Sequence, residues 1–260
     1  MFKILMTYKN TEGLDALLGN KNFSINIHPK PDPETFKKLI ADCDALLIRS
    51  EVKVTADVIS CAKNLKLIAR AGTGVDNVDV SAATDKGIAV MNVPGGNTIA
   101  AAEHTMALIL SLARNIPQAY QSLKGHRWER EKFVGMELPG KILGLVGFGR
   151  IAREVAVRAK SFGMAVMTYD PFVSSDFGAS MGVSVVDSLD KILAECDIVS
   201  LHLPLNENTR NLINKQKLSL MKEGAFLVNA ARGPIVNERD LADVVASGRI
   251  KAAVDVFAKE

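Results

Sequence analysis

Cysteine is scarce in this chain. Three residues, Cys43, Cys61 and Cys196, lie far apart in 260, with no Cys-x-x-Cys pair and no cysteine–histidine spacing that suits zinc. A disulfide scaffold is therefore excluded and no metal site is expected. Charge of one sign is also lacking: 32 Lys and Arg stand against 29 Asp and Glu, for a net +3. These charges are spread along the chain, without the clustered basic face that nucleic acid requires. Long hydrophobic runs are missing too. The longest, Met106 to Ala113, is interrupted by Ser111 and falls far short of the roughly 18 residues needed to cross a bilayer, so no membrane partner is expected. Met1-Phe2-Lys3 runs directly into a strand-like Ile4-Leu5-Met6 with no signal-peptide pattern. The expectation is a cytoplasmic protein of a reducing compartment.

What is present is an ordinary globular composition, 48% hydrophobic and 23% charged, at a length that favours two domains over one. Short apolar runs alternate with helix-like stretches almost from end to end, the pattern of an α/β chain with parallel sheets. A first series of strands is expected at Lys3–Tyr8, Ser24–His28, Ala45–Arg49, Lys66–Arg70 and Ile88–Asn92. Helices fall between them at Pro33–Asp42, where Pro33 suits a first turn, and Thr55–Lys63, where Thr55 suits an N-cap. The stretch Val93-Pro94-Gly95-Gly96-Asn97 ends either structure. It sets a domain boundary, giving domains 1–94 and 95–260.

The long helical pattern over 98–114 places Ile99, Glu103, Met106, Leu110 and Ala113 at three- and four-residue spacing. Apolar residues on its other faces suggest burial on more than one side, against another subunit. A polar loop, 124–138, leads to a second series of strands. These are Ile142–Val146, Ala165–Tyr169, Ser184–Val186, Ile198–Leu203, Ala225–Asn229 and Ala252–Phe257. The intervening helices are Arg150–Phe162, Leu189–Glu195, Lys215–Met221 and Glu238–Ser247.

Within that series, Ile142 to Val146 runs into Gly147-Phe148-Gly149-Arg150-Ile151-Ala152, a strand, glycine turn and helix. Gly147 permits the tight turn, Gly149 lets backbone approach a pyrophosphate, and Ala152 permits close packing of helix on strand. The helix start offers free N–H groups to phosphate. Asp170 closes the next strand where an acidic residue bonds adenosine ribose hydroxyls, and its charge repels a 2′-phosphate. The cofactor expected is NAD rather than NADP. Three strand ends beside this turn carry informative residues: His202-Leu203-Pro204, Asn229-Ala230-Ala231-Arg232-Gly233 and Asp255.

Taken together, Gly72-Thr73-Gly74-Val75-Asp76-Asn77, the turn Gly147 to Ile151, Asn229 to Gly233 and Asp255 to Glu260 resemble, in this order and spacing, the D-2-hydroxyacid dehydrogenases. Arg49-Ser50, Arg70 to Gly74 and Trp128-Glu129-Arg130 are most similar to the branch that oxidises 3-phosphoglycerate with NAD at the opening of serine biosynthesis. The resemblance implies two doubly wound parallel-sheet domains, a flavodoxin-like substrate domain and a Rossmann dinucleotide-binding domain. It implies a homodimer or higher homo-oligomer through helix 98–114 and loop 124–138, and a small 2-hydroxy acid as substrate.

Residue by residue, Thr73, Gly147, Gly149, Arg150, Ile151, Asp170, Leu203, Pro204, Thr209, Ala230, Ala231, Arg232 and Asp255 match cofactor-contacting positions. Arg49, Ser50, Gly72, Asn97 and Arg232 match substrate-binding ones. Leu203 departs from a frequent threonine, which removes a side-chain hydrogen bond. Arg232 and Glu260 match catalytic positions: an arginine fork that holds the carboxylate, and the glutamate of a glutamate–histidine pair.

The family's histidine, in a Pro-His-x-Gly-Gly setting, has no counterpart up to Glu260, nor does the segment that returns to the first domain. The 260-residue chain is therefore expected to bind NAD with turnover lost or strongly impaired. Other readings are a different 2-hydroxyacid dehydrogenase, a hydroxypyruvate or glyoxylate reductase, or a non-catalytic NAD-binding scaffold. Among the histidines, His28 and His126 lie in the outer domain and a polar loop, and His104 lies inside the long helix. His202 sits by the crevice, but between Leu201 and Leu203 and without a nearby acid it reads as structural.

Overall fold

The computed structural model describes residues 1–9 and 22–259, and by its contacts the chain divides into two compact units, Met1–Asn97 and Thr98–Glu260. In the first unit the strands are β1 (Phe2–Met6), β2 (Phe23–Ile27), β3 (Ala45–Ile48), β4 (Leu67–Arg70) and β5 (Ala89–Met91). They form one parallel sheet in the order β2-β1-β3-β4-β5, the flavodoxin-like arrangement with its switch point between β1 and β3.

Helix α1 (Pro33–Ile40) starts where Asp32 accepts from the N–H groups of Glu34 and Thr35, with Pro33 in the first turn. At α2 (Ala56–Cys61) Thr55 accepts from Val58, and at α3 (Val80–Asp85) Asp79 accepts from Ala82. The apolar faces of these helices close over Leu5, Leu46, Ile48 and Ile68 in a single core.

The second unit opens with α4 (Thr98–Arg114) and α5 (Ile116–Lys124), separated by Asn115 in the left-handed region at φ 51°. Its strands β6 (Ile142–Val146), β7 (Ala165–Tyr169), β8 (Ser184–Val185), β9 (Ile198–Leu201), β10 (Phe226–Asn229) and β11 (Lys251–Val254) are joined through α6 (Arg150–Ser161), α7 (Ser175–Ser180), α8 (Leu189–Glu195), α9 (Lys215–Ser219) and α10 (Glu238–Ala246). The six strands are parallel in the order β11-β10-β9-β6-β7-β8. This is the doubly wound dinucleotide-binding order, reversing direction between β6 and β9.

Strand alternation divides the apolar residues between the two faces of this sheet. Leu143 and Leu145 pack with Ala102, Met106, Ile109 and Ala113 of α4 and Ala152, Val155 and Ala159 of α6. Val146, Val199 and Leu227 pack with Ile192 of α8 and Leu218 of α9. A Cβ at Gly144 would stand 2.6 Å from Ile192 and 2.7 Å from Cys196, so the missing side chain is what seats α8 on β6. Burial pushes the Cys196 thiol up to about 12, which keeps it an inert apolar group.

Three expectations are corrected by these elements. On α4 the buried face is Ala102, Thr105, Met106, Ile109 and Ala113, while Ile99 and Glu103 are exposed. The register differs because the small Ala102 and Ala113, rather than the bulky Ile99, permit close packing on α6. β9 stops at Leu201, since Pro204 has no N–H to extend a ladder. β11 stops at Val254, which leaves Asp255 just beyond the strand. Among the described residues no helix is long and apolar enough to cross a membrane.

Candidate active site

The end of β6 builds a turn that only glycine can make. Gly147 has φ 89°, and a Cβ there would lie 2.7 Å from the His202 carbonyl oxygen. At Gly149 a Cβ would meet nothing within 4 Å, leaving open space in front of the first turn of α6. Side chains cap α1, α2, α3, α7, α8, α9 and α10, but Gly149 offers α6 no such cap. The first N–H groups of α6 thus face that open space unclaimed by any capping side chain, and a phosphate would satisfy them.

Asp170, one residue beyond β7, braces the same turn. One carboxylate oxygen accepts from Phe148 N at 2.8 Å and the other from Phe172 N at 2.9 Å. The remaining lone pairs of that carboxylate suit ribose hydroxyls. An open phosphate cradle beside an acidic strand end fits NAD.

On the other side of β6, the ends of β9 and β10 are pinned by polar side chains. His202 N donates to Val146 O at 2.8 Å, and its ring nitrogen Nε2 is 3.0 Å from Ser200 Oγ. Burial pushes the imidazole down to about 4, so it is neutral near pH 7 and structural, as its apolar neighbours imply. Leu203 packs over Gly147. The Thr209 hydroxyl donates to Pro204 O at 2.7 Å, bracing its own turn.

The buried Asn229 side chain donates to Arg232 O at 3.0 Å and accepts from Ala231 N at 3.1 Å. This clamp fixes the turn Ala230-Ala231-Arg232. Gly233 follows, where a Cβ would fall about 2.0 Å from the Phe257 carbonyl carbon, so main chain beyond β11 crosses directly over the residue after Arg232. Asp255 N donates to Asn229 O at 3.0 Å, and its carboxylate lies 3.2 Å from His104 Nε2. Glu260 lies outside the described residues.

In the first unit, Arg49 and Ser50 follow β3, Gly72 and Thr73 follow β4, and Asn97 lies beyond β5. All leave the carboxyl ends of adjacent strands, where ligands bind in open α/β sheets. Thr73 Oγ1 donates to Asn97 Oδ1 at 2.6 Å, and Asn92 Nδ2 donates to Thr73 O at 2.6 Å.

Other residues that shape these sites include the last residue of the Gly72–Asn77 motif and two that lie in no motif, Tyr8 and His104. Asn77 donates to Arg49 O at 2.9 Å and to Val52 O at 2.7 Å, fastening the Arg49–Ser50 loop. Burial pushes the Tyr8 hydroxyl up, partly offset by the nearby Arg49 charge. His104, inside a helix in the sequence, reaches the end of β11. Asn77 is marked in the sequence by its motif, whereas no motif marks Tyr8 or His104, whose contacts arise only when distant segments meet.

Residues 106–260 match the D-isomer specific 2-hydroxyacid dehydrogenase, NAD binding domain. The chain belongs to this dehydrogenase family. It is 48% identical over 228 residues to D-3-phosphoglycerate dehydrogenase of Methanocaldococcus jannaschii, covering 87% of this chain and 44% of that protein. Against the Homo sapiens protein of the same name it is 50% identical over 222 residues, covering 85% and 42%. The chain spans about half the length of the curated relatives it matches. Among solved structures, D-lactate dehydrogenase from Aquifex aeolicus, complexed with NAD and lactic acid, superposes with a TM-score of 0.89 at 29% identity, covering 99% of this chain and 77% of that one. The segment matched to the dehydrogenase NAD-binding domain contains the glycine turn, Asp170, Arg232 and Asp255; Arg49, Ser50, Gly72, Thr73 and Asn97 precede it.

Proposed function

We propose that this chain supplies the substrate-binding domain, 1–94, and the NAD-binding domain, 95–260, of an enzyme oxidising 3-phosphoglycerate to 3-phosphohydroxypyruvate. The relatives named D-3-phosphoglycerate dehydrogenase, at 44–51% identity, carry this reading. Bound NAD would supply the hydride acceptor. Gly147, Gly149, Arg150 and Ile151 hold its pyrophosphate, and Asp170 its adenosine ribose. Thr73, Leu203, Pro204, Thr209, Ala230, Ala231 and Asp255 complete the cofactor contacts.

Arg232 holds the substrate carboxylate with two parallel N–H bonds and polarises the adjacent oxygen. Arg49 adds positive charge for the phosphate, with Ser50, Gly72 and Asn97 offering hydrogen bonds. Glu260 takes the carboxylate role in the acid–base pair. Ile116, Tyr120, Leu123, Trp128 and Val134, exposed on α5 and loop 124–138, support a homodimer through that region and α4. Three unpaired cysteines support a reducing, cytoplasmic setting.

The test is NADH formation by the full-length protein with 3-phosphoglycerate, against D-lactate and the reverse reactions with hydroxypyruvate and glyoxylate. A kcat/KM highest for 3-phosphoglycerate is expected. A higher value for an unphosphorylated acid overturns the phosphate role of Arg49, and failure of any 2-hydroxy acid to react leaves an NAD-binding scaffold.

A further inference from the structure

Sheet order assigns a direction to the cofactor site. Asp170 ends β7 and the phosphate turn follows β6, so the adenosine half lies over the β7 side of the switch point. The dinucleotide crosses the crevice there, which leaves the other half to the ends of β9, β10 and β11. Asp255, the first residue after β11, stands at that end, its backbone fixed by the bond from its N–H to Asn229 O at 3.0 Å. Its side chain is 51% exposed, and among the described residues no side-chain hydrogen bond from its own loop fixes where that carboxylate points.

His104 does. It projects from α4, whose opposite face is buried through Ala102, Thr105, Met106, Ile109 and Ala113 and which packs against β10 and β11. From that rigid base its Nε2 stands 3.2 Å from Asp255 Oδ1. Both partners are about half exposed, so the pair adds little to stability.

We infer that His104 is a positioning residue: it holds one oxygen of Asp255 and so aims the other at the carboxamide N–H donors of a bound nicotinamide. The inference rests on the proposed NAD site. The carboxylate accepts, the carboxamide donates, and His104 removes the rotational freedom that Asp255 would otherwise lose on binding.

Titration of the unmodified chain, His104→Leu and His104→Gln with NADH and with ADP-ribose, which lacks the nicotinamide, tests this. His104→Leu should weaken NADH about five- to tenfold, the effect of one hydrogen bond made less well, with ADP-ribose affinity unchanged. His104→Gln, which keeps a polar donor, should restore most of the loss. Equal losses for both ligands, an unchanged NADH affinity, or no recovery with glutamine would each overturn the positioning role. An unmodified chain that binds neither ligand would instead overturn the NAD site beneath it.

Discussion

Gly147 and Gly149 lie two positions apart and are glycine for opposite reasons. A side chain at Gly147 has nowhere to go: φ is 89° and a Cβ would press on His202 O at 2.7 Å. Replacement by alanine should cost roughly 1–3 kcal/mol, seen as lowered thermal stability along with lost NADH binding. At Gly149 the backbone is extended (φ −72°, ψ −168°) and the space before it is open. Asparagine is a favoured N-cap, so Gly149→Asn should leave stability within about 0.5 kcal/mol of the original or raise it. The same side chain takes up the N–H groups and space that a pyrophosphate needs, so NADH affinity should fall about tenfold or more. Thermal melts and NADH fluorescence titration separate the two variants; equal destabilisation would refute the distinction.

Among the elements, β6 depends on a bond from outside its ladder. Asp197, just before β9, accepts from Ile142 N at 2.8 Å and from Lys222 Nζ at 3.0 Å. Desolvation by burial raises its pKa, but these bonds and the lysine charge outweigh that and hold it below the ordinary carboxylate value. A depressed folded-state pKa means stability that is present above the unfolded value near 4 and is lost as pH falls below it. Asp197→Asn should therefore destabilise the protein by about 1–2 kcal/mol at pH 7 and flatten the acid limb of its stability profile. Urea unfolding at pH 7 and below 4 measures both; an acid limb identical to that of the unmodified chain would count against the brace. β6, β7 and α8 follow from the sequence to the residue, β6 and β7 because their apolar runs are bounded by Gly147 and Asp170; in the structure Ser188 caps the start of α8. Helices α3 and α7 do not, being six residues long and rich in Ser, Ala and Thr, so their apolar spacing is too sparse to show a period; α5 carries Ile116, Ala119, Tyr120 and Leu123 at helical spacing, but that stripe is largely exposed rather than packed on a core. The candidate site divides in the same way. The glycine turn and Asp170 are legible because backbone conformation and charge are local requirements. The Asn229 clamp, the Asn77 tie and the His104–Asp255 contact arise only when distant segments meet.

Across the whole molecule, each buried apolar cluster stays within one unit: that around Leu5, Leu46 and Ile68 lies inside Met1–Asn97, and those around Leu145 and Leu227 lie inside Thr98–Glu260. With these described buried residues grouped unit by unit, each unit should carry its own cooperative unfolding enthalpy. A calorimetric scan should resolve two heat-absorption peaks rather than one. Ligand linkage then labels them: ADP-ribose at about 100 times its dissociation constant stabilises the unit that binds it by roughly 2.7 kcal/mol and should move one peak while the other stays in place. A single peak that shifts as a whole would show that the two cores melt as one. With two peaks, heat reports separately on each half, and damage to a substrate-side residue such as Arg49 can be told from damage to the nucleotide fold without an activity measurement.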